Sequence, residues 1–348
     1  MTSQRMEELL AGFSGASIAV IGDFFLDKYL ILEERLTEVS VETGLDAYQV
    51  VARRLSPGAA GTVTNNLTAL EAGEVFAVGF TGDDGEGFEL RQGLARTGVD
   101  MTALLRRPDQ VTPTYTKPML RDNSGVEREL NRLDIKNRQA TPPDLEDAIL
   151  ENLRALLPRV QAVIIADQVE QRDLGVITDR VRDAVAKIAR ENPEVHFLAD
   201  SRANIGLFRE VMIKPNKIEA ARSCGFTGTE TGLSAEDARR FGTELAARNH
   251  RPAFVTAGPE GILVFDGDSV THVPGIASPP PIDIVGAGDS CTSGIVLAMC
   301  AGASPREAAV VGNCVASLTV QQIGTTGTTT RSEVLRRFQD HARLFESI

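Results

Sequence analysis

A chain of 348 residues has room for two domains, or for one large α/β domain with an appendage. Its 42% hydrophobic and 24% charged residues are ordinary for a globular protein that buries a large core. A formal net charge of −12 argues against general attraction to nucleic acid or to an anionic membrane, so an anionic ligand must find locally arranged donors. The opening "MTSQRMEELLAGFSGAS" carries acids and no long apolar run, and no stretch of the chain approaches about eighteen uncharged apolar residues. Neither a signal peptide nor a transmembrane helix is expected. Cys224, Cys291, Cys300 and Cys314 form no C-x-x-C pair, which suits buried free thiols in a reducing cytoplasm. The four histidines show no metal-ligand spacing.

In chain order, "SIAVIGD" (17–23) is a short apolar run ending in Gly-Asp and predicts a buried strand. "AAGTVTNNLTALEAG" (59–73) has helical character and stops at Gly73. "VFAVGFTGDDGEG" (75–87) reads as a strand followed by a turn, and "FELRQGLARTGVD" as a helix ending near Gly98. Farther on, "VQAVIIAD" (160–167), "VHFLAD" (195–200), "VMIKPN" (211–216) and "PAFVTAG" (252–258) are short apolar strands. Helical stretches separate several of them, notably "DLGVITDRVRDAVAKIAREN" and "AEDARRFGTELAARN". Alternating strands and helices predict a mostly parallel sheet covered on both faces. Ligands of such sheets bind beyond the strand C-termini. Asp23, Asp167, Asp200, Asn216 and Gly258 all fall at those ends, which points to one site.

Two segments break the alternation. Residues 29–56 and 112–134 mix β-formers with charges, and "DNSG" within the second is a strong hairpin turn. They predict a small separate sheet inserted twice into the main fold, placed to act as a lid or a dimer surface. "SPPPID" (278–283) is a stiff, extended lead-in.

The spacing of Gly79, Gly82 and Gly85 is G-x-x-G-x-x-G, which excludes the dinucleotide fingerprint there. No G-x-x-x-x-G-K-[ST] phosphate loop and no G-x-S-x-G elbow occurs. What remains is "PIDIVGAGDSC" (281–291), a tight turn that places Asp289 at the start of the apolar run "SGIVLAMCAGA". Taken alone, the stretch favours a helix N-cap. The sharper alternative is an anion site built from glycine-stripped amides at a helix N-terminus, with Asp289 as a base beside it.

Seven stretches in order carry a resemblance. "IAVIGDFFLDKY", "SPGAAGTVTNNLTALEAG", "VGFTGDDGEG", "NRLD", "KPNKIEA", "VTAGPEG" and "DIVGAGD" together resemble the ribokinase-like (PfkB) carbohydrate kinases, and within them the heptose-phosphate kinase branch. The similarity runs over essentially the whole chain. It implies a three-layer α/β/α fold with a small β-sheet lid, as one kinase domain over residues 1–348. It implies ATP and Mg²⁺, and K⁺ as a monovalent activator, in a cytoplasmic enzyme that acts on a small-molecule sugar and pairs as a homodimer through the lid. Nucleic acid and membrane are not expected partners.

Residue by residue, Asp289 matches the family's catalytic base, and Gly286, Ala287 and Gly288 match its anion hole. Asp27, with Asp23 secondary, matches carboxylates that accept hydrogen bonds from sugar hydroxyls. Asn216 and Glu219 match the N-x-x-E pair that orders phosphates and magnesium-bound water, although a helix start with ordinary capping explains the same pattern. Thr256 and Gly258 are expected near the nucleotide and Asn313 beside the adenine. Asp283 and Val285 fall where relatives bind a monovalent cation. The bases Lys117, Arg121, Arg128 and Arg132 in the lid hairpin suggest a phosphorylated sugar, with Lys117 and Arg132 as its contacts, unless neighbouring acids pair with them.

The departures concern the sugar. Where the family has a second glycine and a nearby asparagine, this chain has Ala59 after Gly58, and Thr62. Asn65 and Asn66 lie beyond that position. The altered segment leaves a catalytically weak sugar or nucleotide sensor as an alternative. A kinase of another small molecule, such as a nucleoside, is a third, which the G-D-x-x-x-D and lid resemblance to the heptose branch disfavours. The chain reaches Ile348 without an H-x-G-H motif, so the nucleotidyltransferase activity of some bifunctional heptose kinases is not expected within it.

Overall fold

Strand composition decides the layering. In "SIAVIG" every residue from Ile18 to Gly22 is buried, as expected of a parallel strand covered on both faces. Ile18 and Val20 join one core cluster while Ala19 and Ile21 join another. The computed structural model, which describes residues 1–229 and 233–348, extends this pattern into a nine-stranded sheet. From one edge to the other its strands are Ser269–Pro274, Gly261–Asp266, Ala253–Thr256, Met212–Ile213, His196–Ser201, Ala162–Asp167, Ser17–Gly22, Glu74–Gly82 and Leu104–Arg107. All neighbours are parallel except along the first three strands, which pair antiparallel. The fold is the expected three-layer α/β/α arrangement with a mostly parallel sheet.

One face is covered by helices Ser3–Gly12, Ala60–Ala69, Ala287–Cys300, Pro305–Thr319 and Arg331–Asp340. The other is covered by Pro143–Leu156, Asp179–Glu191 and Ala235–Asn249. Helix Ala287–Cys300 is buried continuously from Ser290 to Ala298, so the apolar run after the Gly-Ala-Gly turn is a core helix. The four cysteines are free thiols.

The smaller sheet consists of Leu133–Ile135, Thr114–Arg121, Phe24–Glu33 and Val50–Ala59 in that order, with Glu127–Glu129 paired to the second of these. Its first long strand begins at Phe24 rather than at 29, and its partner ends at Ala59 rather than at 56. Phe24, Phe25 and Leu26 are buried like main-sheet residues, and the chain passes from one sheet to the other within two residues of Gly22. Asp27 and Gly58 are therefore lid residues.

The helix expected from "DLGVITDRV" starts only at Asp179, capped by Thr178. The reason lies in Asp23, whose carboxylate accepts the backbone N–H groups of Gln168 (2.8 Å), Val169 (3.0 Å) and Val176 (2.7 Å). These bonds hold residues 168–176 as a loop against the end of the first strand. Asp23 is buried, and burial raises its pKa against the pull of the three amides. Both oxygens accept backbone amides, so Asp23 acts in the fold as a positioning residue for this loop.

Lid and body meet at Ala59, which has φ 54° and ψ −118° immediately before helix Ala60–Ala69. This backbone suits glycine, the residue the family resemblance leads one to expect here. For an L-residue such a conformation costs of order 1–3 kcal/mol, of which glycine's extra chain entropy returns up to about 1 kcal/mol. Ala59→Gly is expected to stabilise the fold by about 1 kcal/mol. The measurement is a urea unfolding curve, with the midpoint rising at unchanged slope; a lower midpoint would contradict a strained Ala59.

Candidate active site

Gly286 takes the left-handed conformation (φ 80°, ψ 0°) and is the N-cap of helix Ala287–Cys300, with no side-chain cap. A Cβ at Gly286 would stand 3.3 Å from Thr326 and 3.4 Å from the Thr62 methyl group, so the turn is tight as well as left-handed. Asp289 is consequently the third helical residue and not the N-cap, which corrects the simpler sequence reading. The Ala287 amide donates to the Ile284 carbonyl (3.2 Å) and closes the turn. Among the described residues the amides of Gly288 and Asp289 have no acceptor. The Asp289 carboxylate likewise accepts no hydrogen bond. A helix N-terminus with free amides beside an uncommitted carboxylate can bind an anion and take up a proton.

The electrostatics favour that use. Asp289 is half-buried by surface, but protein packs around its carboxylate. Burial, reinforced by the negative charge of Asp200, pushes it up to about 7 against the pull of Lys214 and Arg202. Asp200, the penultimate residue of strand His196–Ser201, pairs with Lys214 Nζ (2.9 Å), while Thr292 Oγ1 donates to the same oxygen (3.0 Å). Lys214 is buried, and Asp200 keeps its ammonium above the usual value although burial opposes the charge. Glu219 is also pushed up to about 7, by burial first and Asp200 second.

Asn216 and Glu219 form a reciprocal capping box on helix Lys217–Ser223. The Glu219 amide donates to Asn216 Oδ1 (2.8 Å), and Glu219 Oε2 accepts the Asn216 amide (2.8 Å). The bland expectation of capping is thus met at both residues. Glu219 Oε1 has no hydrogen bond among the described residues and remains free for other work.

These groups line one cleft of about 980 Å³ at the C-terminal ends of the parallel strands. Asp289, Gly288, Lys214 and Glu219 form one end; Ile262, Ile276, Ala316 and Val320 give the other an apolar wall. Thr256, Gly258 and Asn313 also line it. The Asn313 amide nitrogen donates to the carbonyls of Val273 (3.3 Å) and Pro274 (3.0 Å), which fixes its orientation. Asp283 accepts the Val285 amide on one oxygen (3.0 Å) and the Gly324 amide on the other (3.0 Å), tying the turn to the segment after helix Pro305–Thr319. Asp167 lies outside the cleft, where it accepts from Ser201 and Asn204. Of the five polar strand ends, Asp23 and Asp167 therefore serve the scaffold.

The lid residues stand beside this cleft. Asp27 adds to the negative potential at Asp289, and Thr62 borders Gly286. Gly58 permits close contact with Asp27: a Cβ there would lie 2.4 Å from Asp27 Oδ2. Lys117 Nζ pairs with Asp27 (3.3 Å) and donates to the Tyr29 hydroxyl (3.0 Å). Arg132 makes a bidentate pair with Asp134 (2.7 and 2.9 Å) and lies 4.1 Å above the Tyr115 ring. Arg121 is held by Glu33 and Glu127. Three of the four lid bases, Lys117, Arg121 and Arg132, are thus paired with acids, as the alternative reading allowed, though with Asp27, Glu33 and Asp134 besides the expected Glu127. Asn66 turns inward and donates to the Thr62 carbonyl (3.0 Å), so it does not substitute for the missing asparagine.

Sequence reasoning gave no role to Lys214, Arg202, Tyr29 or Arg54. Arg54 is opposite Tyr29, which is opposite Lys117, so the three form one row across the lid. Only the strand register reveals that row.

The family model described as pfkB family carbohydrate kinase matches residues 17–331. Among curated relatives, the bifunctional protein HldE of Geotalea uraniireducens (strain Rf4) is 28% identical, covering 93% of this chain and 64% of the relative. HldE of Caulobacter sp. (strain K31) is 30% identical, covering 92% and 62%. The chain spans less than two thirds of the length of these relatives. Among solved structures, Arabidopsis thaliana ribokinase complexed with ribose and ATP aligns with TM-score 0.68 at 20% identity, over 93% of this chain and 99% of that one. Phosphofructokinase-2 from Escherichia coli in complex with potassium aligns with TM-score 0.70 at 17% identity, over 94% and 99%. The chain belongs to the pfkB family of carbohydrate kinases, with curated relatives in the HldE branch.

Proposed function

We propose that this sugar kinase transfers the γ-phosphoryl group of ATP to a hydroxyl of a phosphorylated sugar, such as a heptose phosphate, with Asp289 as the base. One observation carries the reading. A carboxylate free of hydrogen bonds, and desolvated to near neutrality, stands on the same turn as two unpaired amides. In the reaction Asp289 takes the proton of the attacking hydroxyl. The hydroxyl oxygen forms the new bond to the γ-phosphorus, the bond to the β–γ bridging oxygen breaks, and ADP leaves with that electron pair. The amides of Gly288 and Asp289 hold charge on the transferring group, while Gly286 and Ala287 shape the turn. Asp27 accepts hydrogen bonds from the sugar.

The nucleotide lies along the cleft, with Thr256, Gly258 and Asn313 toward the base. The oxygen donors suit Mg²⁺, which keeps several waters: Glu219 Oε1 is unengaged, and Asn216 is adjacent. Among the described residues no group of three or more His, Cys, Asp or Glu forms a metal cage. When bound, that ion neutralises phosphate charge. Asp283 and the Val285 carbonyl would hold K⁺ beneath the turn; each Asp283 oxygen accepts only one amide and has a lone pair left.

The lid register supports a phosphorylated substrate. Ser56, Asp27 and Tyr115 form one cross-strand row, and Arg54, Tyr29 and Lys117 form the next on the same face. The two rows are roughly 7 Å apart. A sugar with hydroxyls on Asp27 therefore carries a remote phosphate to Lys117, with Arg132 beside it over Tyr115. The exposed apolar Val39, Val41 and Leu45 of the lid arm support pairing with a second copy there. Among the described residues no helix is long and apolar enough to cross a membrane.

Asp289→Asn keeps the shape of the turn but cannot take the proton. It is expected to lower kcat at least about 10²-fold while ATP affinity, measured by calorimetry, is retained. Near-wild-type kcat would remove Asp289 from the base role.

Lys117→Met and Arg132→Met are expected to raise KM for a sugar phosphate and leave KM for ATP unchanged. Steady-state ADP release over matched phosphorylated and unphosphorylated sugars checks this. A higher kcat/KM on the unphosphorylated sugar, unmoved in both variants, would overturn the phosphosugar reading.

A further inference from the structure

Beneath the Gly286–Asp289 turn lies a cation that the reaction as described does not use. Lys214 is 3% exposed, and its ammonium is the atom nearest to where a side chain on Gly288 would stand, 3.6 Å away. Asp200 Oδ2 is next, at 3.9 Å. Lys214 lines the cleft together with Gly288, Asp289 and Glu219. An ammonium carries three N–H donors and no acceptor. One donor of Lys214 is spent on Asp200 at 2.9 Å, and no other acceptor within the described residues engages it. Its remaining donors thus have no protein acceptor among the described residues, in a cleft that Lys214 lines.

Asp200 is itself fixed from two sides, by Lys214 and by the Thr292 hydroxyl on helix Ala287–Cys300. The amides and the ammonium thus converge on one place from different elements: the helix start supplies the amides, and the strand Met212–Ile213 leads directly into Lys214. Only an anion with several acceptor oxygens satisfies both sets of donors.

We propose that Lys214 binds the transferring phosphoryl group, its ammonium held in place by Asp200 and its remaining donors turned toward phosphoryl oxygens at Gly288. The assignment rests on the reading of the cleft as a phosphoryl-transfer site. Charge-assisted donors to phosphate are stronger than neutral ones. During the bond exchange between the sugar oxygen and the γ-phosphorus, Lys214 keeps its proton and carries charge, while Asp289 alone takes the hydroxyl proton. Asp200 is a positioning residue in this account.

Lys214→Met alone leaves Asp200 buried without a counter-charge and can unfold the protein. The test therefore adds the double variant Asp200→Asn/Lys214→Met, in which the Asn carbonyl still accepts from Thr292. Each full-length protein is titrated calorimetrically with ADP and with a non-hydrolysable ATP analogue, and kcat is measured with ATP. The double variant is expected to melt near the wild-type temperature, retain ADP affinity, bind the analogue more weakly, and lose about 10²–10³-fold in kcat. Near-wild-type kcat in the double variant would overturn the proposal and leave Lys214 as a mere partner of Asp200. Equal loss of ADP and analogue affinity would overturn it too, because the contact would not be specific to the transferring group. A wild-type protein that binds neither nucleotide would instead defeat the phosphoryl-transfer reading itself.

Discussion

The left-handed turn at Gly286 is the constraint on which the site depends. Because the chain reverses there without a capping side chain, the following helix begins with amides that have no protein partner. The helix itself is a core element, buried from Ser290 to Ala298 and packed against the sheet. A rigid core element thus presents free donors at the sheet's C-terminal edge, where the strand order also brings Asp200, Lys214 and Asn216. Preorganised donors of this kind need no reorganisation at the moment of reaction. The second glycine, Gly288, leaves room above the Lys214 ammonium.

Charge near this turn is concentrated and nearly balanced. Asp200, Glu219 and Asp289 face Lys214 and Arg202 in a partly desolvated space, and Asp289 and Glu219 are driven up toward neutrality by burial first and Asp200 second. Buried ion pairs contribute little to stability relative to apolar packing. Their persistence here fits a site that must receive phosphates and move a proton. Ala59 is a second departure from local preference, placed where the lid joins the body. Sites that break local rules are where sequence-level reasoning is expected to meet function.

Much of this was legible in the chain. Continuous apolar runs such as "SIAVIG" and "AVIIAD" identified parallel strands because both faces of the sheet are covered. "DIVGAGD" located the turn because few other uses explain that glycine spacing before an apolar run. What escaped depends on partners distant in sequence. Asp23 looked like a free strand-end carboxylate, but its amide partners lie about 150 residues away and only the fold brings them to it. Lys214 stood inside an apolar strand with nothing nearby to identify Asp200, its partner from the adjacent strand. The start of the lid was illegible because Phe24–Leu26 are as buried as the strand that precedes them. Asp289 looked like an N-cap because the turn's φ values, which shift the helix start to Ala287, are not visible in composition.

The pH dependence of kcat/KM tests the central claim most directly, since it reports the ionisation of groups in the free enzyme. Asp289 must be ionised to accept the hydroxyl proton, and burial has raised it to about 7. Its active form therefore dominates above that pH and is lost as pH falls through it. With the ionisation of nucleotide and sugar phosphate corrected for, kcat/KM is predicted to fall about tenfold per unit below a midpoint near 7, and more steeply if Glu219 must also be ionised. A profile that stays flat down to about pH 5, as an ordinary exposed carboxylate gives, would contradict a desolvated base at Asp289.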